Sequence, residues 1–439
     1  MRKNLQKPIV FLIVFSVFLS TVSFASNLKI DNPNIDLSGE SVLLADYDSE
    51  RILFEKNSSK RMYPASTTKI MTAILAIELG NMDDIVQIDD EVIHLTEGSH
   101  IALDYDEEMR FEDLLNGLVV ASANDSALAI AKHISGSIDG FVGLMNKKAK
   151  ELGALNTHFK NPNGLHSENH YTTAHDLFLI SKYAMKNETF RKLVSKSKYT
   201  IPATNKKSEK RLLHTTNRFL YGNSTMEING KHIPIKFDGI KGIKTGTTPE
   251  AKNCLVSYAE RDGKKIISVV LKSQGRKVYS DTYKLMEYGF DNFNPIFLGH
   301  SNEFVENIDI ENGSLPYASA VLKDDIPYIV KDNEENNIEK KLKIRDDIEL
   351  PIVKGDTLGN VEYSLEGNLI ASSSIVSTVD ISPVKKNALL QIFSLTSLKI
   401  NWKKIILSLF IIFLSLTILN KFFRLKKRKS RKKNRFIRY

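Results

Sequence analysis

The sequence lacks the cysteines that stabilise many exported domains: Cys254 is the only one among 439 residues. An intrachain disulfide is therefore excluded, and stability must come from a hydrophobic core, in which we expect Cys254 to be a small buried residue. Internal repeats are also lacking, which excludes repeat architectures. The histidines, among them His158, His166 and His175, have no spacing with acidic residues or cysteine that is typical of a metal site. We therefore expect neither a metal nor a cofactor.

The excess of positive charge lies at one end of the chain. The formal net charge is +9, but eleven of the basic residues lie in residues 421–439. Basic residues directly after a hydrophobic run are typical of the cytoplasmic flank of a membrane helix, which accounts for the charge without nucleic acid. With 42% hydrophobic and 26% charged residues, the chain has the composition of a globular protein. We predict no nucleic-acid partner.

Apolar runs near both ends predict export and membrane anchoring. Residues 1–25 have early basic residues, an apolar run and small residues before Ala25, which predicts a cleaved signal peptide. Residues 405–423 are long enough to span a bilayer, and residues 424–439 would form a basic cytoplasmic tail. The amphipathic linker at 384–404 leaves an alternative open, in which this end of the chain lies on the membrane surface.

The rest of the sequence divides into two regions with different patterns. Residues 36–292 have strand-like runs at both ends, including a hairpin at 41–57, around a block with helical spacing from about 63 to 190. This arrangement predicts one α+β domain whose terminal strands pair. Residues 294–383 contain short alternating runs separated by turn residues, which predict a small all-β domain.

A serine three residues before a lysine stands at the head of the most apolar helical pattern. The spacing S-x-x-K occurs five times in the chain, but only Ser66 and Lys69 precede a long apolar run. On a helix these side chains share one face, and burial would lower the pKa of Lys69 until its neutral amine could activate the Ser66 hydroxyl. The alternative is that Ser66 caps the helix while Lys69 extends its amine to solvent.

Two further motifs have the residue types that such a pair would need. Ser122-Ala123-Asn124 lies between two helical patterns, where its side chains could face a cleft or instead cap the next helix. Lys244-Thr245-Gly246 lies on a predicted strand, where it offers a cation, a hydroxyl and a glycine that permits close approach of a substrate backbone. Its alternative is an exposed edge strand protected by a lysine.

Taken together and in this order, the three motifs are the signature of penicillin-binding proteins and β-lactamases. The chain resembles the low-molecular-mass penicillin-binding proteins that act as serine D-alanyl-D-alanine carboxypeptidases. The likeness includes the loop Asn161-Pro162-Asn163-Gly164-Leu165 and covers residues 36 to 290, and the β-rich region resembles this family's second domain. The resemblance implies a domain like those of β-lactamases and transpeptidases. Peptidoglycan stem peptides and β-lactam antibiotics would be its partners.

The resemblance also implies a role for each matching residue. Ser66 would be the nucleophile, Lys69 its base and Ser122 the proton relay to the leaving amine. The substrate would be held by Asn124, Lys244, Thr245, Gly246 and Thr247. The backbone N–H groups of Ser66 and Thr247 would hold the oxyanion. Arg276 is a weaker candidate for the substrate carboxylate, and a solvated arginine is its alternative.

The sequence departs from the family at two positions near the site. Ala123 stands where a glycine is frequent, and Thr247 where an aromatic residue or histidine is common, so substrate preference could differ. A β-lactamase would need a deacylating glutamate, and the nearest match, at Glu151, has one residue too many before its asparagine. The motifs would also suit a muropeptide endopeptidase on the same fold or a non-catalytic penicillin-sensing wall protein.

Overall fold

The computed structural model describes residues 32–384 and 402–433. The predicted signal peptide, most of the amphipathic linker and the end of the basic tail lie outside these ranges. In chain order the strands are β1 Ser41–Asp46, β2 Ile52–Lys56, β3 Ile85–Gln87, β4 Glu108–Arg110, β5 Lys198–Ile201, β6 Arg211–His214, β7 Thr225–Ile228, β8 Lys231–Pro234, β9 Ile240–Thr248, β10 Lys252–Arg261, β11 Lys264–Ser273, β12 Asn294–Gly299, β13 Phe304–Asp309, β14 Tyr317–Leu322, β15 Ile326–Val330, β16 Ile338–Ile344, β17 Thr357–Leu365 and β18 Asn368–Ser377. The helices are α1 Lys69–Leu79, α2 Asp90–His94, α3 Phe111–Val120, α4 Asn124–Ser135, α5 Ile138–Glu151, α6 Ala174–Lys186, α7 Glu188–Val194, α8 Lys277–Asn292 and α9 Trp402–Lys433, with 3₁₀ turns at Ala65–Thr68 and Glu334–Asn337.

The first sheet joins the two ends of the α+β domain. Its order is β2-β1-β11-β10-β9, and all its pairings are antiparallel. Every residue of β1 is buried, because alternate side chains enter different cores: Leu43 and Ala45 face the helical block, while Val42 and Leu44 face the core that contains α8. Burial on both faces explains the continuous apolar run of this strand. The predicted pairing of the terminal strands is confirmed.

Helix α1 lies in the centre of the helical block. Its residues from Lys69 to Ala76 are all buried, and it contacts α3, α4 and α6. A helix that is apolar on nearly every side is stable only when surrounded in this way. The lysine at its first position is therefore held inside the protein.

The C-terminal region contains a second five-stranded sheet with the order β13-β14-β18-β17-β16, and a separate pair of β12 with β15. The predicted all-β character of this region is confirmed. Clustering of contacts gives two compact units. One holds the described residues up to Asn307 with Ser319–Ile348 and Lys354–Thr378; the other holds Ile308–Ala318, Glu349–Val353 and the described residues from Val379 onward.

The last described element, α9, is exposed from Trp402 to Lys427 and is apolar over most of this part. Within the described part of the chain, Trp402–Lys427 is the segment with the length and composition to cross a membrane, with a mean hydropathy of 2.2 and none of that window buried. It contains the predicted anchor at 405–423. The helix is compatible with membrane association.

Candidate active site

Ser66 lies on a short turn rather than on the α-helix predicted from the sequence. It is the second residue of the 3₁₀ turn Ala65–Thr68, and α1 begins only at Lys69. Side chains three residues apart lie on the same side of a 3₁₀ turn. Ser66 and Lys69 therefore share one face, as predicted, but through the 3₁₀ turn and not through an α-helix. Ser66 makes no capping hydrogen bond to the helix, so the capping alternative is wrong.

Lys69 is buried, with only 1% of its surface exposed, so the solvent-directed alternative is also wrong. Its Nζ donates to Asn124 Oδ1 and to the Asn163 carbonyl oxygen, both at 2.6 Å, and lies 3.0 Å from Ser66 Oγ. The first two oxygens can only accept hydrogen bonds. They use both N–H groups of a neutral amine and leave its lone pair for the Ser66 hydroxyl, as a general base requires.

The environment of Lys69 favours this neutral form. Burial lowers the pKa of Lys69 well below its usual value, and the positive charge of Lys244 lowers it further. Asp125 acts in the opposite direction but is weaker. Asp125 is itself committed to the backbone N–H groups of Ile101, Leu103 and Ser126.

Ser122 and Asn124 lie on the turn that joins α3 to α4, as predicted. Ser122 adopts a left-handed backbone conformation with φ of 59°, and both side chains are 5% exposed. Strained residues of this kind are frequent at functional sites. Asn124 is the first residue of α4 and does not cap it, since its Oδ1 accepts from Lys69 and its Nδ2 donates to the Glu97 carbonyl.

Lys244 is buried although its strand, β9, is an edge of the sheet. Its Nζ donates to Ser122 Oγ at 2.8 Å and to the Thr245 carbonyl at 3.0 Å, and it is 3% exposed. A lysine that protects an edge strand would be solvated, so that alternative is wrong. Burial lowers the pKa of Lys244 to about 7. The second and third motifs therefore meet at one hydroxyl, that of Ser122.

At Gly246 and Gly164 the lack of a side chain allows another part of the protein's own backbone to pack closely. A Cβ on Gly246 would lie 3.0 Å from both the Pro64 carbonyl oxygen and the Ser66 nitrogen. The group that approaches Gly246 most closely is thus the turn carrying Ser66, whereas the sequence suggested a substrate backbone. Gly164, with φ of +88°, is held in the same way, because its Cβ would lie 2.0 Å from the Ala65 carbonyl oxygen.

Two contributors to the site were not given a role from the sequence. The Asn163 contact with Lys69 uses a backbone carbonyl, which has no residue-type signal, although its loop was noted. Thr216 Oγ1 lies 2.5 Å from Thr245 Oγ1, and the Tyr279 hydroxyl donates to the Thr216 carbonyl. Nothing in the sequence around Thr216 indicates that the residues after β6 lie beside Thr245.

Three other candidate residues are exposed to solvent. Arg276 is exposed at the start of α8, in line with a solvated arginine. Glu151 is exposed at the end of α5 and faces Lys147 and Lys148. Thr247 is exposed and accepts from Asn253 Nδ2 at 3.1 Å. Among residues 32–384 and 402–427, no group of three or more His, Cys, Asp or Glu could hold a metal ion.

Two family models match the chain in succession. The family model for D-alanyl-D-alanine carboxypeptidases matches residues 27–275, and that for the C-terminal domain of penicillin-binding protein 5 matches residues 293–383. The D-alanyl-D-alanine carboxypeptidase DacF of Bacillus subtilis is 34% identical over 349 residues, which cover 78% of this chain and 85% of the relative. DacA of Haemophilus influenzae is 28% identical over 353 residues, covering 77% and 84%.

Solved structures extend the similarity to the fold. Penicillin-binding protein 5 from Haemophilus influenzae matches with a TM-score of 0.67 at 26% identity, covering 80% of this chain and 99% of that chain. The D-alanyl-D-alanine carboxypeptidase DacD from Francisella tularensis matches with a TM-score of 0.58 at 28% identity, covering 81% and 96%. With its serine and lysine in hydrogen-bonding distance at the head of a buried helix, this chain belongs to the D-alanyl-D-alanine carboxypeptidase family of serine peptidases.

Proposed function

We propose that the protein removes the terminal D-alanine from peptidoglycan stem peptides through an acyl-enzyme formed at Ser66. The observation that supports this most is the surrounding of Lys69, whose two carbonyl partners leave its lone pair directed at the Ser66 hydroxyl. A serine needs such a neighbour to become a nucleophile.

Acylation is a transfer of the peptide carbonyl from nitrogen to oxygen. Ser66 Oγ attacks the carbonyl carbon between the last two residues while its proton passes to Lys69 Nζ. The tetrahedral intermediate collapses, the C–N bond breaks, and the leaving amine takes up a proton from Ser122. Lys244, which contacts Ser122 at 2.8 Å, can resupply that proton. Solvent then carries the proton from Lys69 back to Lys244, so that Lys69 is neutral again. Water attacks the ester carbonyl while its proton passes to Lys69, and Lys69 returns this proton to the Ser66 oxygen as the acyl–oxygen bond breaks.

Substrate binding uses the groups around this centre. Lys244 and the hydroxyl of Thr245 would hold the terminal carboxylate, and this charge pairing selects substrates with a free C-terminus. The backbone N–H groups of Ser66 and Thr247 would hold the oxyanion. Asn124 would hold the substrate amide through the second N–H of its Nδ2, because the first donates to the Glu97 carbonyl.

The same centre accounts for the β-lactam partners expected from the sequence. A β-lactam presents an acyl carbon and a carboxylate to Ser66 and Lys244, so we propose that penicillins acylate the enzyme. We also propose that the signal peptide exports the catalytic region, that α9 anchors it in the membrane, and that the basic tail stays in the cytoplasm. Glu151 is exposed and faces Lys147 and Lys148, which disfavours rapid β-lactam hydrolysis through that residue.

Release of D-alanine from a peptide ending in D-Ala-D-Ala tests the proposal with the full chain in detergent. We expect release by the native protein, a stable penicillin adduct on it, and neither with Ser66→Ala. Ser195→Ala is the matched control, because Ser195 also precedes a lysine by three residues but is exposed and bonded to the Lys192 carbonyl. Equal release by native protein and Ser66→Ala would refute the proposal. Cleavage inside a cross-linked muropeptide without D-alanine release would favour an endopeptidase.

A further inference from the structure

The segment between α5 and α6 makes three polar contacts with the turn and helix that carry the nucleophile. The Asn163 carbonyl accepts from Lys69, and the Pro162 carbonyl accepts from Thr72 Oγ1 at 2.5 Å. The third contact is between side chains: His170 Nε2 lies 2.8 Å from Thr68 Oγ1. The proposed mechanism does not use His170.

The surroundings of His170 fix its ring in one orientation and one tautomer. It is 1% exposed, and the Phe159 ring meets it edge to face at a centroid distance of 5.7 Å. The Lys160 backbone N–H donates to Nδ1 at 3.3 Å, so Nδ1 is unprotonated and Nε2–H donates to Thr68. Burial lowers the pKa of His170 to about 3, which keeps this neutral form at physiological pH.

Thr68 is the joint between the 3₁₀ turn and α1. It occupies the residue before α1 yet makes no capping bond to that helix. Its hydroxyl is bonded instead to His170, across 102 residues of sequence. A neighbouring threonine, Thr67, closes the other end of the turn by donating to the Pro64 carbonyl at 2.7 Å. The contact with His170 is therefore made at the residue where the turn meets α1.

We propose that His170 is a positioning residue that holds the turn through Thr68, so that Ser66 stays within reach of the Lys69 amine. This inference rests on the proposed function, because it assigns a role only if Ser66 is acylated. A displacement of about 1 Å at a reacting group can reduce a rate about 100-fold, so one hydrogen bond at this joint can control acylation.

Two substitutions of similar size separate positioning from packing. His170→Gln keeps an N–H donor near the position of Nε2, whereas His170→Met fills similar space without a donor. With the full chain and a labelled penicillin, we expect the acylation rate constant per reactive site to fall about tenfold or more in His170→Met and about threefold or less in His170→Gln. The final amount of adduct counts the folded sites, so unfolding is separated from slow acylation.

Thr68→Val removes the acceptor from the other side and keeps the test usable if His170→Met fails to fold. We expect the rate to fall as in His170→Met, with no further loss in the double variant, because both remove one contact. Thr172→Val is the control: it removes the part-buried contact with Thr157 from the same segment and should leave the rate unchanged. Native rates in both His170→Met and Thr68→Val, or equal losses in His170→Met and His170→Gln, would overturn the inference. Absence of acylation in the native protein would instead refute the proposed function.

Discussion

Replacing Lys69 with methionine removes the amine while keeping an unbranched side chain in the same space. If Lys69 is the base for Ser66, the acylation rate should fall about 10²- to 10⁴-fold, the range that general bases contribute. This loss corresponds to about 3–5 kcal/mol of transition-state stabilisation. The proposed roles of Ser122 and Lys244 do not require this amine, so substrate affinity should change less than the rate.

The same substitution tests whether Lys69 is neutral in the folded protein. A buried lysine with a lowered pKa binds fewer protons when folded than when unfolded, where its pKa is 10.5. Unfolding then takes up a proton, so raising the pH toward 10.5 increases the free energy of unfolding of the native protein. Lys69→Met lacks this dependence. The oxygens of Asn124 and Asn163 that lose their donor cost about 1–3 kcal/mol each at every pH, so they do not change the slope.

Denaturant unfolding of both proteins at about pH 7.5 and about pH 9.5 gives the comparison, since other groups largely cancel in the difference. Over this interval the free energy of unfolding should rise more in the native protein than in Lys69→Met. Acylation by penicillin, measured on the same preparations, gives the rate effect. A difference that does not change with pH would show that Lys69 is charged when folded, and native acylation by Lys69→Met would refute its role as base.

Four further predictions concern single features of the molecule. Gly164→Ala should lower the free energy of unfolding by more than about 1 kcal/mol and slow acylation, because its Cβ would meet the Ala65 carbonyl; unchanged denaturation and acylation would contradict the close contact. Cys254 should resist thiol reagents until the protein unfolds, because it is 1% exposed and burial raises its pKa to about 12; fast labelling of the native protein would contradict this. Glu151→Gln should leave the lifetime of the penicillin adduct unchanged, and a longer lifetime would favour a β-lactamase. In intact cells, protease added outside should leave the tail at 424–439 uncut until the membrane is opened, whereas cleavage without opening would favour a surface-lying helix.

The class of reaction and the order of the main helices and strands could be predicted from the sequence alone. The apolar run after Lys69, the hairpin at 41–57 and the motif strand β9 could be predicted because burial and strand pairing leave periodic patterns. The three motifs indicated Ser66, Ser122 and Lys244 because the reaction that we propose uses their side chains. The same spacing at Ser195 shows that a motif identifies a site only in its context.

The hydrogen-bond partners of these side chains became visible only in the folded protein. The partners of Lys69 include a backbone carbonyl from residue 163 and an amide from residue 124, and no local pattern records contacts between such distant segments. The roles of Thr216 and His170 could not be predicted from the sequence for the same reason. Thr216 contacts Thr245 on β9, and His170 contacts Thr68 on the turn before α1. Lys69 illustrates the difference between the two sources of information. The apolar run after it indicated that Lys69 would be buried, because such a helix must be surrounded by the protein. Its two carbonyl partners, which leave the lone pair of the amine for Ser66, are brought together only by folding.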